Sequence, residues 1–245
     1  MIVRDAGDAW QVVLQTDHAD LSGAFARAWA EQGPRHDSLV LAAERHDDGW
    51  AVWEQSPLVD ADGAPVNFLD VQVPAHLAFY RAGIAAIADE DPYAGLLVSM
   101  HGAGIYRQRY GEDPGLRLTH ADDVAELVEE FVAEQEASAR ARLDAAGVDD
   151  ELRWADYRRL QSYDRLSLLF CMRDLEREQP FELGALRIEP RGAWRIGVEP
   201  YPFADGARTL ELVRRLVPKR GWTQKAFREQ FLELEPERLE IVVEP

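Results

Sequence analysis

The stretch that most constrains this chain is Arg45-His46-Asp47-Asp48-Gly49-Trp50, which closes the apolar-periodic segment 38–44. Leu39, Ala42, Ala43 and His46 recur at i, i+3, i+4 and i+7, the face a helix turns towards a core. The spacing predicts a helix whose last turn points His46 inward, with Asp47 beside it and a glycine just beyond that can break the helix. An imidazole and a carboxylate on adjacent residues at such a helix end make either a metal site or a buried ion pair.

The other histidines bear on that choice. A β-like run, Trp10-Gln11-Val12-Val13-Leu14-Gln15, leads into Thr16-Asp17-His18, where Asp17 or Asp20 is placed to cap a helix carrying Phe25 and Trp29. Pro74 suits the first position of a helix in which His76 lies two residues on. Asp91-Pro92 opens another, with His101 near its end. Asp149 starts a long helix in which Asp164 sits among Leu160, Leu166, Leu168 and Leu169. A carboxylate there is costly to bury unless a cation or a donor compensates it. His18, His46-Asp47, His76, His101 and Asp164 thus fall on or beside separate predicted helices. Helical bundles build divalent-metal sites from imidazoles and carboxylates on facing helices. His36 reads as loop or helix N-terminus, and His120, after a cap at Thr119, as solvated.

Two regions emerge. Residues 1–178 read as a helical metal-binding body with an N-terminal strand, and residues 179–245 as a β-rich extension packing on it. In the extension, 183–188, 193–198 and 239–243 alternate or carry β-branched residues; 209–216 suits strand or short helix, and 223–231 helix. The fold class is α+β overall, mainly α, with small β-rich N- and C-terminal portions. The irregular stretch after Trp50, rich in turn residues up to Val73, is placed to border the cleft as a lid.

Charge narrows the partners. With 27 Lys+Arg against 45 Asp+Glu, the net charge is −18. Such a surface repels nucleic acid and anionic membrane, because phosphate backbones need clustered cations. The expected partner is a small-molecule substrate. Arg107, Arg109 and Arg165 read as members of surface or interhelical ion pairs. The single cysteine, Cys171, sits in an apolar run and reads as a core thiol in a reducing compartment. With no apolar signal region and no run able to span a bilayer, the expected location is the cytoplasm.

The ordered set resembles the HD-domain superfamily of metal-dependent enzymes, whose pattern is a histidine, a His-Asp pair and a final aspartate. His18, His46-Asp47 and Asp164 match it, over roughly residues 10–175, and His76 and His101 stand where binuclear members add two histidines. The stretches 45–50, 100–104 and 163–171 also resemble a bacterial HD-like family of unknown function. Where many HD phosphohydrolases carry a basic residue after the pair, this chain continues Asp48-Gly49-Trp50. The resemblance implies an HD-type helical bundle holding one or two divalent ions (Fe, Mn or Zn). His18, His46, Asp47 and Asp164 would hold the first, and Asp47 would bridge to a second on His76 and His101. The implied activity is phosphohydrolysis of a small metabolite by a metal-activated water, with Asp47 central to it. The alternatives are a mixed-valent di-iron oxygenase and a non-catalytic, metal-stabilised binding domain.

Overall fold

The computed structural model describes residues 1–116 and 122–245. The cap at Thr119 and the solvated His120 lie outside the described residues. The chain opens on a hairpin, β1 (Ile2–Asp5) and β2 (Ala9–Val13), and passes directly into α1 (Gln15–Ala28). Then come α2 (His36–Arg45), the single turn α3 (Ala51–Glu54), α4 (Val73–Glu90), α5 (Pro92–Ile105), α6 (Ala125–Ala146) and α7 (Asp150–Met172). The remainder is β3 (Phe181–Leu183), β4 (Leu186–Gly192), β5 (Arg195–Glu199), β6 (Arg208–Pro218), α8 (Gln224–Gln230) and β7 (Glu237–Glu244). The fold is α+β. Among the described residues no helix is long and apolar enough to cross a membrane.

The seven strands form one sheet in the order β1-β2-β6-β7-β5-β4-β3, antiparallel except where β5 runs parallel to β7. The N-terminal hairpin joins it through β2 and β6, with Gln11 opposite Leu216. Neighbouring residues show its two faces, as a pleat requires. Val13 packs into the main core with Phe25, Phe170, Leu212 and Ile241, whereas Val12 packs with Val217, Trp222, Phe227 and Phe231 on the other side. The helical HD-type bundle expected from the resemblance is therefore corrected. A continuous seven-stranded sheet runs through both ends of the chain. Its pairings link β2 to β6 across some two hundred residues, and local periodicity carries no information about such partners.

Helix boundaries follow their caps. Asp91 accepts hydrogen bonds from the amides of Tyr93 (2.8 Å) and Ala94 (3.0 Å) at the start of α5, and Asp149 accepts from Leu152 (2.8 Å) at the start of α7. Gly147 ends α6 in the left-handed conformation at φ 65°. The start of α1 departs from expectation. Asp17 and Asp20 lie inside the helix, and the buried Glu54 supplies the cap from a distance, accepting from the Gln15 amide (2.5 Å) and the Thr16 hydroxyl (3.2 Å). An anion there completes the helix dipole.

Two glycines bring the site-bearing elements into contact. A Cβ on Gly23 of α1 would lie 2.6 Å from Glu44 Cβ of α2, and one on Gly49 would lie 2.0 Å from the Phe79 carbonyl oxygen of α4. Only glycine allows these approaches. The irregular stretch after α3 divides in two. Its first part folds onto the 221–224 region, where Val59 donates to Gln224 Oε1 (3.0 Å) and Trp222 donates to the Gly63 carbonyl (3.2 Å). Its second part, Phe68 to Val73, borders the principal cavity.

Candidate metal centre

His18 stands in the first turn of α1, His46 and Asp47 directly after α2, and Asp164 midway along α7. All four are buried, none more than 4% exposed. Their inner atoms converge. His18 Nε2 lies 3.2 Å from His46 Nε2, 3.8 Å from Asp47 Oδ2 and 3.1 Å from Asp164 Oδ1. His46 Nε2 lies 3.7 Å from Asp47 Oδ2 and 3.5 Å from Asp164 Oδ1. Two ligands bonded at about 2.1 Å to one cation stand roughly 3.0–3.4 Å apart; the His18–His46 and His18–Asp164 separations match this, and the Asp47 oxygen stands a few tenths of an ångström farther out. Among the described residues, the three that keep their ligand atoms within 4.8 Å of one another are His18, His46 and Asp47; Asp164 stands outside that group, close to the two histidines only.

The outer hydrogen bonds set which ring nitrogens face the centre. His46 Nδ1 faces the Ala43 carbonyl at 2.9 Å, so it carries the proton and leaves Nε2 a bare acceptor. The Ser167 hydroxyl donates to the Asp164 carbonyl (2.8 Å) and accepts from His18 Nδ1 (2.5 Å), which leaves His18 Nε2 bare as well. With both rings neutral, two lone pairs would face the carboxylate oxygens, a contact that either a cation or a proton relieves. Metal-binding histidines are oriented in this way by their second nitrogen. Without a metal the centre draws a proton instead. Burial alone would lower the His46 imidazole, but Asp47 and Asp164 outweigh it and carry it up to about 9. Asp164 stays well below the usual carboxylate range: burial opposes this, and Arg109, His18 and His46 overcome it.

Each carboxylate has its second oxygen occupied. Asp164 Oδ2 accepts from Arg109 Nη1 at 2.5 Å, and the same nitrogen donates to Gln161 Oε1. Arg109 reaches this buried position from a turn in which Gln108, Arg109 and Tyr110 all take left-handed backbone, φ 54°, 51° and 52°. None is glycine, and each such residue costs about 1–2 kcal/mol. That conformation is held where a guanidinium locks a carboxylate. Asp47 Oδ1 accepts from the Tyr80 hydroxyl of α4 at 3.0 Å, and that hydroxyl also meets His101 Nε2 at 3.4 Å.

The structure brings His18, His46, Asp47 and Asp164 together and sets His76 and His101 around Tyr80. The Tyr80 ring lies 4.8 Å from that of His76, whose Nδ1 is 2.6 Å from the Tyr106 hydroxyl. Burial lowers His76 to about 4 and, with the charge of His46 adding to it, His101 to about 3, so both rings are neutral. Sequence reading passed over Tyr80, Ser167 and the burial of Arg109. Spacing held a signal for two of them: Tyr80 follows His76 by one helical turn, and Ser167 follows Asp164 by three residues. Nothing in the sequence announces a left-handed arginine. Cys171 is buried as expected, and burial pushes its thiol up.

The centre opens on a cavity of about 420 Å³, within the usual range for small-molecule sites. His18, Asp47, Asp164, His76, Tyr80 and His101 line its floor, whereas His46 does not reach it. Its walls are mainly apolar, with Arg109, Arg165 and Arg173 also facing it.

No curated protein and no solved structure matches the chain. A family model does match, over residues 1–219, and it is described as a protein of unknown function, DUF3891; no HD-domain family matches. With the seven-stranded sheet, this overturns the HD-domain resemblance. A histidine, a His-Asp pair and an aspartate in order are what any helical framework needs to surround one cation, so the order alone does not identify a superfamily. The chain belongs to the DUF3891 family.

Proposed function

We propose that this chain is a metal-dependent hydrolase that cleaves a phosphoester of a small molecule. The observation that carries the reading is the buried group His18, His46 and Asp47, with Asp164 against the two histidines, at the floor of an open cavity that His18, Asp47 and Asp164 line. His18, His46, Asp47 and Asp164 would hold one divalent cation of the Mn, Fe or Zn class. Such a cation, when bound, acidifies a coordinated water and polarises the bond under attack.

The chain's own groups prepare that chemistry. Tyr80 engages Asp47 Oδ1 and Arg109 engages Asp164 Oδ2, so each carboxylate faces the centre through a single oxygen. Charge distribution favours an anionic substrate. On a chain of net charge −18, three arginines face one cavity beside the three aspartates Asp47, Asp113 and Asp164, so the cavity is far less acidic than the chain as a whole. Arg165 is the least neutralised of them: its carboxylate neighbour Asp113 stands 3.9 Å from Nε, whereas Arg109 and Arg173 hold close pairs with Asp164 and Glu178. A two-iron oxygenase would need a second cation between His76, His101 and Asp47, and the Tyr80 hydroxyl lies in that space. This supports a one-metal hydrolase.

Elemental analysis of protein purified without added metal tests the reading, together with Mn2+-dependent turnover of p-nitrophenyl phosphate and bis(p-nitrophenyl) phosphate. About one metal per chain is expected in the parent and in His76→Ala. Metal and turnover should both be lost in Asp47→Ala. A parent protein that neither carries nor takes up a divalent metal would refute the reading.

A further inference from the structure

The walls of the cavity carry information that the metal centre does not. Leu69, from the stretch before α4, is 56% exposed, and Met172, at the end of α7, is 38% exposed, and both line the cavity. Among the described residues only five large apolar side chains are exposed to this degree, and two of them stand on this one rim. Leu168 lies one helical turn before Met172, and Ile105 ends α5; both line the same cavity. Water gains nothing from such a wall, and an apolar surface continuous with a polar floor marks a ligand with an apolar part. Arg165 faces the same space; its guanidinium donates to the Glu112 carbonyl (3.2 Å), and its nearest carboxylate, Asp113, stands 3.9 Å away.

We propose that the substrate is an amphiphile: an anionic phosphoester head directed to the metal centre and Arg165, and an alkyl or aryl body lying against Ile105, Leu168, Leu69 and Met172. This rests on the hydrolase reading for the head group alone. The apolar wall selects the body by burial, which is independent of the metal and grows with apolar area. A sugar phosphate or a nucleotide would instead leave its hydroxyls unpaired against this wall.

Alkylphosphonates of two, four, six and eight carbons are the probes, because their C–P bond is not hydrolysed. Binding is measured calorimetrically on Mn2+-loaded protein and again on chelator-treated protein. Affinity should rise about two- to fourfold per methylene. Octanol, with the same tail and no anion, should bind at least about tenfold more weakly than octylphosphonate, and Arg165→Gln should weaken all four probes alike by about tenfold. The double variant Leu69→Asn, Met172→Gln changes only exposed positions, so its fold is not at risk. It should flatten the chain-length dependence and leave ethylphosphonate binding unchanged. A flat dependence in the parent, an unaltered one in the double variant, or octanol binding as tightly as octylphosphonate would overturn the proposal. The chelator-treated arm separates the two readings. Chain-length dependence without metal uptake sinks the hydrolase and keeps the amphiphile site; metal uptake with no chain-length dependence does the reverse.

Discussion

Gly49→Ala is the substitution in which sequence, packing and site meet. The added Cβ would lie 2.0 Å from the Phe79 carbonyl oxygen and 2.7 Å from its carbon, where real Cβ contacts stay above 3.0 Å. The turn after α2 and the backbone of α4 must therefore part by about 1 Å, and neither is a flexible side chain that can swing away. Overpacking of this kind costs about 1–3 kcal/mol, and a backbone-to-backbone clash belongs at the upper end. At a urea slope of about 1–3 kcal/mol/M, a cost of about 3 kcal/mol should lower the unfolding midpoint by roughly 1–3 M, with the slope itself unchanged. The fluorescence of the adjacent Trp50 offers a direct probe. Asp47 lies two residues upstream, and metal ligands tolerate displacements of only about 0.2 Å. Calorimetric Mn2+ affinity should accordingly fall by at least about tenfold. Gly83→Ala is the control, because its Cβ would meet Gly49 N at 3.1 Å and Gly49 Cα at 3.3 Å. A shift of a few tenths of an ångström, offset by the helix propensity of alanine, keeps its effect within about 1 kcal/mol. A Gly49→Ala protein with the parental midpoint and metal affinity would refute the reasoning, as would Gly83→Ala being the worse of the two.

Other expectations follow from the same geometry. Chelation should lower the melting temperature: a metal present at a thousandfold its Kd contributes about 4 kcal/mol, or roughly 8–16 °C for a chain of this size, and scans with and without chelator read it directly. Tyr80→Phe removes the donor to Asp47 Oδ1 and should weaken Mn2+ binding about 10- to 100-fold in a calorimetric titration; undiminished affinity would remove Tyr80 from the centre. Asp91→Ala should cost about 1–2 kcal/mol at pH 7 in urea unfolding, through loss of the α5 cap. Burial opposes ionisation of Asp91, but its bonds from Ser38, Ala94 and Tyr93 hold it below the ordinary carboxylate range. Its contribution is therefore complete above about pH 4 and fades as pH falls through the depressed value, so parent and variant should converge at low pH.

The inward turn of His46 was legible because Leu39, Ala42 and Ala43 sit on the buried face that the spacing predicted. Asp164 was legible because a carboxylate among leucines demands a partner, and the structure supplies one in Arg109. The superfamily was not legible, since the order of ligand types reflects the needs of a cation more than shared descent. The sheet was only partly so. Residues 209–216 read equally as strand or short helix, and they lie in β6, whose neighbours β2 and β7 are both distant in sequence. Where partners are remote, as for Glu54 capping α1 or Tyr80 meeting Asp47, local pattern falls silent and only packing decides.

The pairing of β2 with β6 has a consequence for how the molecule comes into being. His18 rides on a helix that leaves directly from β2, yet β2 is tied into the sheet by β6, whose Arg214 side chain donates to Gln11 from 203 residues away. On a ribosome, the first metal ligand is synthesised long before the strand that fixes its helix has emerged. Closing so long a loop is entropically unfavourable until many contacts reward it together. Nascent chains should therefore hold helices 2 to 7 in partial order with the first ligand unanchored. Any metal uptake at this centre should then be a late event, following the pairing of β2 with β6.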